Sequence, residues 1–343
     1  MIEQAGDRDV MERDVTERDV IIVGAGLSGL TAAGRLADAG RSVTVIDKGR
    51  SVGGRLATRR IGDVRFDHGA QFFTQRGPEL AALVSELQAA GVVREWCRGF
   101  GQRDEHPRYL VEGGMNALAK HLAAGLDDVR TGVQATAVER INGGWRVVAG
   151  PASFEAPAVL LTAPVPQSLE LVAAGGAELD PGIGAALERI TYDPAIAVMA
   201  LLDGPAAIPP PGAMQFTGGD GGPFSFIADN ATKQSAETSA LTLHTSPSFS
   251  TAHWDDDDDD LLAELLDAAA PWIGGARVVE AQLKRWRYAA PRTTWPERSC
   301  VAVDGDEPLV LAGDAFDGPR VEGAYVSGLS GATAVLRART LGS

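Results

Sequence analysis

The sequence predicts an α/β fold built around a dinucleotide-binding unit, and three observations carry that prediction. Four apolar residues, Val20 to Val23, run straight into Gly24-Ala25-Gly26-Leu27-Ser28-Gly29. Leu27, Leu30, Ala33 and Leu36 then recur on one helical face until Gly40. A second short apolar stretch, Val43 to Ile46, ends on Asp47. Strand, glycine turn, helix, strand and acid thus follow one another within about 30 residues, the order that cradles a dinucleotide.

Each element has a physical task. Gly24 permits the tight turn, Gly26 lets main-chain N–H groups approach a pyrophosphate, and Gly29 lets helix and strand pack closely. Leu27 and Ser28 open the helix, whose N-terminus carries roughly half a positive charge toward the phosphates. Asp47, followed by Lys48, is placed to accept hydrogen bonds from both ribose hydroxyls and to repel a 2′-phosphate.

Length and composition bound the rest. With 343 residues and 45% hydrophobic content the chain supports a large core and two domains. No apolar run is long enough for a membrane helix, and residues 1–18 lack the apolar core of a signal peptide. Two cysteines without a secretion signal argue against a disulfide framework and for a cytoplasmic protein. The formal net charge of −15 disfavours nucleic acid and anionic membranes as partners. Residues 1–16, where Arg-Asp-Val recurs, read as a disordered tail, with Met11 an alternative start. The six consecutive aspartates at 255–260 lack the spacing of a calcium loop and read as a solvated helix N-terminus, so no metal is expected.

Five further motifs carry a resemblance. Ser51-Val52-Gly53-Gly54-Arg55-Leu56-Ala57-Thr58 resembles the RxGGRxxS/T doublet of the FAD-dependent amine-oxidase superfamily, with Ser51 in place of the leading arginine. Asp67-His68-Gly69-Ala70-Gln71-Phe72-Phe73-Thr74 and Arg285-Trp286-Arg287-Tyr288-Ala289-Ala290-Pro291 are similar to the renalase-like branch of that superfamily. Gly113-Gly114-Met115 and Gly313-Asp314, with Glu322-Gly323-Ala324 opening a terminal helix, complete the pattern. The fold implied is the FAD-binding Rossmann-like domain of p-hydroxybenzoate hydroxylase and the amine oxidases, with an inserted α+β substrate domain. Residues 17–70, 109–166 and 296–343 would form the FAD domain, and 71–108 and 167–295 the substrate domain.

The resemblance implies FAD as cofactor. Arg55 would then neutralise the pyrophosphate, and Leu56 would follow it along the loop. The segment His68, Gly69, Ala70, Gln71 and Phe72 would cross the flavin ring. Val133 would lie on the adenosine side, Asp314 would bond a ribityl hydroxyl, and the helix opening at Glu322, Gly323 and Ala324 would face the ring's N1–C2=O edge.

Two departures steer the expected chemistry. Amine oxidases carry a lysine on a substrate-domain strand, whereas Tyr192 to Ala200 here has none. Arg320 stands where monoamine oxidases place a tyrosine of their aromatic cage, and a fixed cation disfavours an ammonium. Renalase-like enzymes oxidise 2- or 6-dihydro isomers of NAD(P)H, hydride passing to flavin N5 and O2 becoming H2O2. Gln71, Trp286, Tyr288 and Arg320 are the candidates for positioning such a substrate. A flavin amine oxidase, a desaturase of an apolar substrate, and a non-catalytic FAD-binding protein are the alternatives.

Overall fold

The computed structural model describes residues 18–100, 106–217, 219–234 and 239–338; the tail expected at 1–16 lies outside the described residues. A six-stranded sheet carries the glycine loop. Its order is β18 (Cys300–Val303), β19 (Leu309–Leu311), β12 (Ala158–Leu161), β1 (Val20–Val23), β2 (Val43–Asp47) and β8 (Val129–Thr131). All neighbours are parallel except β18 against β19. β1 is buried at every position because both faces are covered. Val20 and Ile22 pack toward α1 (Leu27–Asp38), α3 (Asn116–Ala123) and α10 (Val321–Ala338). Ile21 and Val23 pack oppositely, toward the small sheet of β9 (Ala137–Ile141), β10 (Gly144–Ala149) and β11 (Ala152–Ala156) and toward α4 (Val165–Ala174) and α5 (Pro181–Glu188).

The first helix forms as its pattern predicts. Leu27, Leu30, Ala33 and Leu36 are all buried, and Gly40 takes φ +75° just beyond the last turn. Gly29 lies so close to the preceding turn that a Cβ there would sit 1.9 Å from the Gly24 carbonyl oxygen. No side chain fits that approach.

A second unit is an antiparallel sheet in the order β14 (Ala213–Gln215), β15 (Phe224–Asp229), β16 (Ala240–Thr245), β13 (Tyr192–Leu202) and β17 (Val278–Pro291). The helices α6 (Asn230–Gln234), α7 (Pro247–Ala252), α8 (Asp258–Ala268) and α9 (Ala270–Ile273) accompany it. Ile196, Val198 and Leu243 meet Leu261 and Leu265 of α8 in its core. The aspartate run does open a helix: Asp257 caps α8 by accepting from the N–H groups of Asp259 and Asp260.

Gly132, at φ +72°, separates β8 from β9, which belong to different sheets. β14 forms inside the Pro- and Gly-rich stretch 203–223, and β15 follows directly after it. The chain departs from expectation in one stretch. Residues 71–108 form β5 (Phe73–Thr74), α2 (Pro78–Ala89), β6 (Val93–Cys97) and the start of β7 (Arg108–Val111), which form no part of the five-stranded sheet. Leu80, Val84 and Leu87 instead enter the same apolar cluster as α1 and α3, because that stripe finds its apolar partner there. Among the described apolar side chains of this stretch, Phe72, Trp96 and Phe100 reach the other way, to Phe226 of β15. The hairpin of β3 (Thr58–Ile61) and β4 (Val64–Asp67) bridges the units, with Phe66 packed on Met199 and Ala240. Among the described residues no helix is long and apolar enough to cross a membrane.

A matched pair of substitutions tests the helix–turn contact. Gly29→Ala should lower the urea midpoint and abolish flavin retention on gel filtration. Gly34→Ala, in the same helix with nothing within 4 Å of its added methyl, should stabilise by about 0.4–1 kcal/mol.

Candidate active site

The cradle is assembled from three loops at the carboxyl ends of β1, β2 and β12. Gly26 is the N-cap of α1, which has no side-chain cap and no acidic residue in its first turn. Its N–H groups are therefore left for an anion. A Cβ built on Gly26 meets nothing within 4 Å, so open space lies before the turn. Gly53 donates its N–H to the Ala25 carbonyl at 2.8 Å and forms a β-bridge with Gly26, bringing the glycine doublet alongside. The Asp47 carboxylate accepts from Ala25 N at 2.7 Å and from Gly49 N at 2.6 Å. It braces the loop, and each oxygen keeps a further lone pair for a ribose hydroxyl. Val133 donates its N–H to the Asp47 carbonyl at 2.9 Å, Leu56 is buried, and Lys48 is exposed. Ser28 Oγ is buried with no hydrogen-bond partner, a polar atom left for a ligand at the helix start. The uncapped helix, the open space and the braced acid fit the pyrophosphate and ribose of a dinucleotide.

Two residues expected to touch the cofactor directly are matched to each other instead. Arg55 makes a bidentate pair with Asp314, at 2.6 and 2.7 Å, and also donates to the carbonyls of Tyr288 and Ala289 at 3.2 and 3.3 Å. The guanidinium has gone to the nearest buried carboxylate, which joins the glycine doublet to the ends of β17 and β19. Glu322 uses its side chain elsewhere. Its Oε1 accepts from the N–H groups of Arg76 and Gly77 at 3.1 and 2.6 Å, so the side chain fastens that loop and only the main chain of α10's first turn remains for a ligand. Ala324 N reaches the Arg320 carbonyl at 3.1 Å, Gly313 N reaches Ser327 Oγ at 2.8 Å, and a Cβ on Gly323 would lie 2.3 Å from the Gly318 carbonyl oxygen.

The segment expected to cross the ring is zipped onto the doublet. Ala70 N donates to the Arg55 carbonyl at 2.9 Å and His68 N to that of Ala57 at 3.1 Å; a Cβ on Gly69 would lie 2.0 Å from the Arg55 carbonyl oxygen. His68 stacks on Trp286 at 5.4 Å between centroids, and Trp286 Nε1 donates to the His68 carbonyl at 2.8 Å. Tyr288 meets Tyr192 edge-on at 5.5 Å, and the Tyr192 hydroxyl accepts from Val165 N at 3.2 Å.

Gln71, expected to contact the substrate, has its carboxamide committed inside the protein. Its Nε2 donates to the carbonyls of Asp67 and Gly69, the latter at 3.3 Å, and lies 3.5 Å from His244 Nε2. Its Oε1 accepts from Lys233 Nζ at 3.2 Å, and Lys233 pairs with Asp67 Oδ2 at 3.0 Å. Arg320 stays exposed ahead of α10, outside this buried network. The structure thus sets Trp286 beside His68, Tyr288 against Tyr192 and Gln71 between Lys233 and His244, and leaves Arg320 exposed ahead of α10. Lys233 and His244 went unnoticed because one lies in a five-residue helix and the other at the end of a strand read only as core. No spacing pattern links residues so far apart in sequence; a polar residue inside an apolar strand was the one available signal.

Burial holds both imidazoles neutral. His68 is lowered from 6.5 to about 4 by desolvation first, then by the charges of Arg59 and Lys284. His244 is lowered to about 4 by desolvation, against which a hydrogen bond to the His68 main chain works, with Lys233 adding to the depression. The unfolded chain binds these protons below pH about 6.5 and the native protein does not, so stability present above that pH is lost as pH falls toward 4.

Two family models match. Residues 22–87 match the NAD(P)-binding Rossmann-like domain and residues 93–336 match the flavin containing amine oxidoreductases. The chain is 32% identical to protoporphyrinogen oxidase 2 of Arabidopsis thaliana over 104 residues, 29% of this chain and 18% of that protein. It is 44% identical to putrescine oxidase of Kocuria rosea over 68 residues, 20% of this chain and 14% of that protein. The matches therefore span well under two thirds of these relatives. The structure of a putrescine oxidase bound to putrescine superposes with a TM-score of 0.73, covering 94% of this chain and all of that one at 18% identity, which is a likeness of fold. This chain belongs to the flavin containing amine oxidoreductase family. It is accordingly an oxidoreductase, and its cofactor is FAD.

Acid unfolding checks the neutral imidazoles. Urea-denaturation stability should fall between pH 7 and pH 5, with His244 contributing at most about 2 kcal/mol. His244→Gln should remove part of that pH dependence, and an unchanged slope would show that His244 is protonated in the fold.

Proposed function

We propose that the chain is a renalase-like FAD-dependent oxidase acting on 2- or 6-dihydro isomers of NAD(P)H. The observation that carries this reading is an aromatic face flanked by cations and, among the described residues, free of an available carboxylate. His68 and Trp286 offer a stacked pair of flat rings, and Lys284 Nζ lies 5.6 Å from the Trp286 centroid. Arg59 and Lys284 are the cations acting on His68, and the buried acid nearby, Asp67, is matched to Lys233. Such a face suits a neutral dihydropyridine on an anionic dinucleotide and offers no counter-charge to an ammonium.

The chemistry asks for orientation rather than proton transfer. Loss of hydride turns the dihydropyridine into an aromatic pyridinium, so no general base is needed. Bound FAD supplies the hydride acceptor, with O2 taking the electron pair on to hydrogen peroxide. Trp286 and His68 would hold the ring plane and exclude water from one side. Tyr288 would close the far end, where its carbonyl also holds Arg55.

Oxidation of a neutral amine is the second reading, and Lys233 favours it. The amine oxidases carry a lysine from the substrate domain, and this one lies buried behind residues 67–71 although β13 has none.

Anaerobic stopped-flow bleaching separates the two. The dihydropyridine isomers should bleach the flavin within about a second, ordinary 4-dihydro-NADH far more slowly, and benzylamine and putrescine not at all. Trp286→Ala should slow bleaching about tenfold, a barrier change of about 1.4 kcal/mol. Fast reduction by an amine with none by the dihydropyridines would overturn the renalase-like reading and establish the second.

A further inference from the structure

A buried ammonium needs a reason, and this one has two partners. Lys233 Nζ touches Asp67 Oδ2 at 3.0 Å and Gln71 Oε1 at 3.2 Å, with 1% of its side chain exposed. Asp67 Oδ1 is held separately, accepting from Thr58 Oγ1 at 2.6 Å and from Met115 N at 2.8 Å, while Oδ2 takes Lys233. The contact with Gln71 is the one that reaches toward the chemistry, because Gln71 lies between this pair and His244.

The carboxamide has one orientation that its surroundings accept. An ammonium only donates, so the atom facing Lys233 must be Oε1. The carbonyls of Asp67 and Gly69 only accept, so the atom facing them must be Nε2. Turning the amide over would set donor against donor and acceptor against acceptor in a buried place, leaving each group unsatisfied. With Nε2 so placed, His244 Nε2 at 3.5 Å faces the amide's N–H edge, whose two hydrogens are shared among the imidazole and the two carbonyls. An imidazolium there would direct an N–H at another N–H.

We infer that Lys233 is a positioning residue that fixes the Gln71 carboxamide with its N–H edge toward His244, holding that imidazole neutral with its proton on Nδ1. The charged and titratable groups facing His244 are Lys233 from α6 and His68 from the end of β4. Its neighbours across the sheet, Ala197 on β13 and Phe226 on β15, carry no charge. Lys233, Gln71 and Asp67 are buried while His244 and His68 are half-buried, so the layer behind sets the state of the layer in front. This extends the proposed function: a neutral His244 keeps the face free of a cation where a substrate ring itself becomes cationic.

The test reads His244 directly. Holoenzyme carrying histidine labelled with 13C and 15N is titrated by NMR. The wild type should show His244 neutral to below pH 5, with the 15N pattern of a bare Nε2. Lys233→Met combined with Asp67→Asn removes one positive and one negative charge together, leaving the local charge balance unchanged. Gln71→Met removes the amide while keeping Lys233 charged. Both should raise the His244 midpoint by one pH unit or more and mix its tautomers, and Lys233→Arg should restore the wild-type pattern. Flavin content and melting temperature confirm folding of each variant; if the double variant fails to fold, Gln71→Met decides alone. Wild-type titration in a folded Gln71→Met or double variant would overturn the inference, leaving Lys233 as the counter-charge of Asp67 only. The titration needs no substrate, so its outcome stands apart from whether dihydropyridines bleach the flavin.

Discussion

Lys233 and Asp67 meet at 3.0 Å with almost none of either side chain exposed, and the two halves of the molecule close around that contact. Asp67 ends the hairpin that leaves the glycine doublet, and Lys233 belongs to the helix that follows β15. The Asp67 carboxylate also holds Thr58 and Met115, while its carbonyl accepts from Gln71 and from Thr242 at 2.9 Å. Both charges have been taken from water, and their attraction offsets that loss only with each remaining lone pair and proton satisfied. Loss of either partner would leave an uncompensated buried ion, at a cost of about 3–5 kcal/mol. The pair therefore specifies one way of seating the hairpin on the five-stranded sheet.

The cofactor cradle follows a different logic, in which main chain does the binding and side chains brace the main chain. Asp47 holds the N–H groups of Ala25 and Gly49, Glu322 those of Arg76 and Gly77, and Arg55 the carbonyls of Tyr288 and Ala289. Each of these charged side chains holds the shape of a loop. Preorganised dipoles need no rearrangement when an anion arrives, which is the physical value of building a site this way.

The charges acting on the two imidazoles are mostly cationic, with Asp67 opposing them at His68. The whole chain carries a net charge of −15, yet the groups that act on His68 and His244 include Arg59, Lys284 and Lys233. Cations beside neutral imidazoles and stacked aromatics create a local field opposite to that of the surface. A field of that kind selects for anionic substrates near the face whatever the protein's overall charge.

By itself the sequence determined the parts whose geometry is local. Val20 to Asp47 could be read as strand, turn, helix, strand and acid because hydrogen bonding within the helix, the covering of a central strand and the absence of a Cβ at Gly29 are all decided within a few residues. The same held for the aspartate run opening α8, where the helix N-terminus and Asp257 are neighbours. Tertiary structure decided which partners the charged groups chose. Arg55 and Asp314 lie 259 positions apart, Lys233 and Asp67 166, and neither pairing leaves any periodicity to read. It also decided that residues 78–89 lean on α1 rather than on the inserted sheet, since an apolar stripe shows that a partner is needed without saying which. His244 shows the division most plainly. Its strand was legible from Ala240 onward, but its neutrality depends on a lysine and an amide that only the folded chain brings beside it.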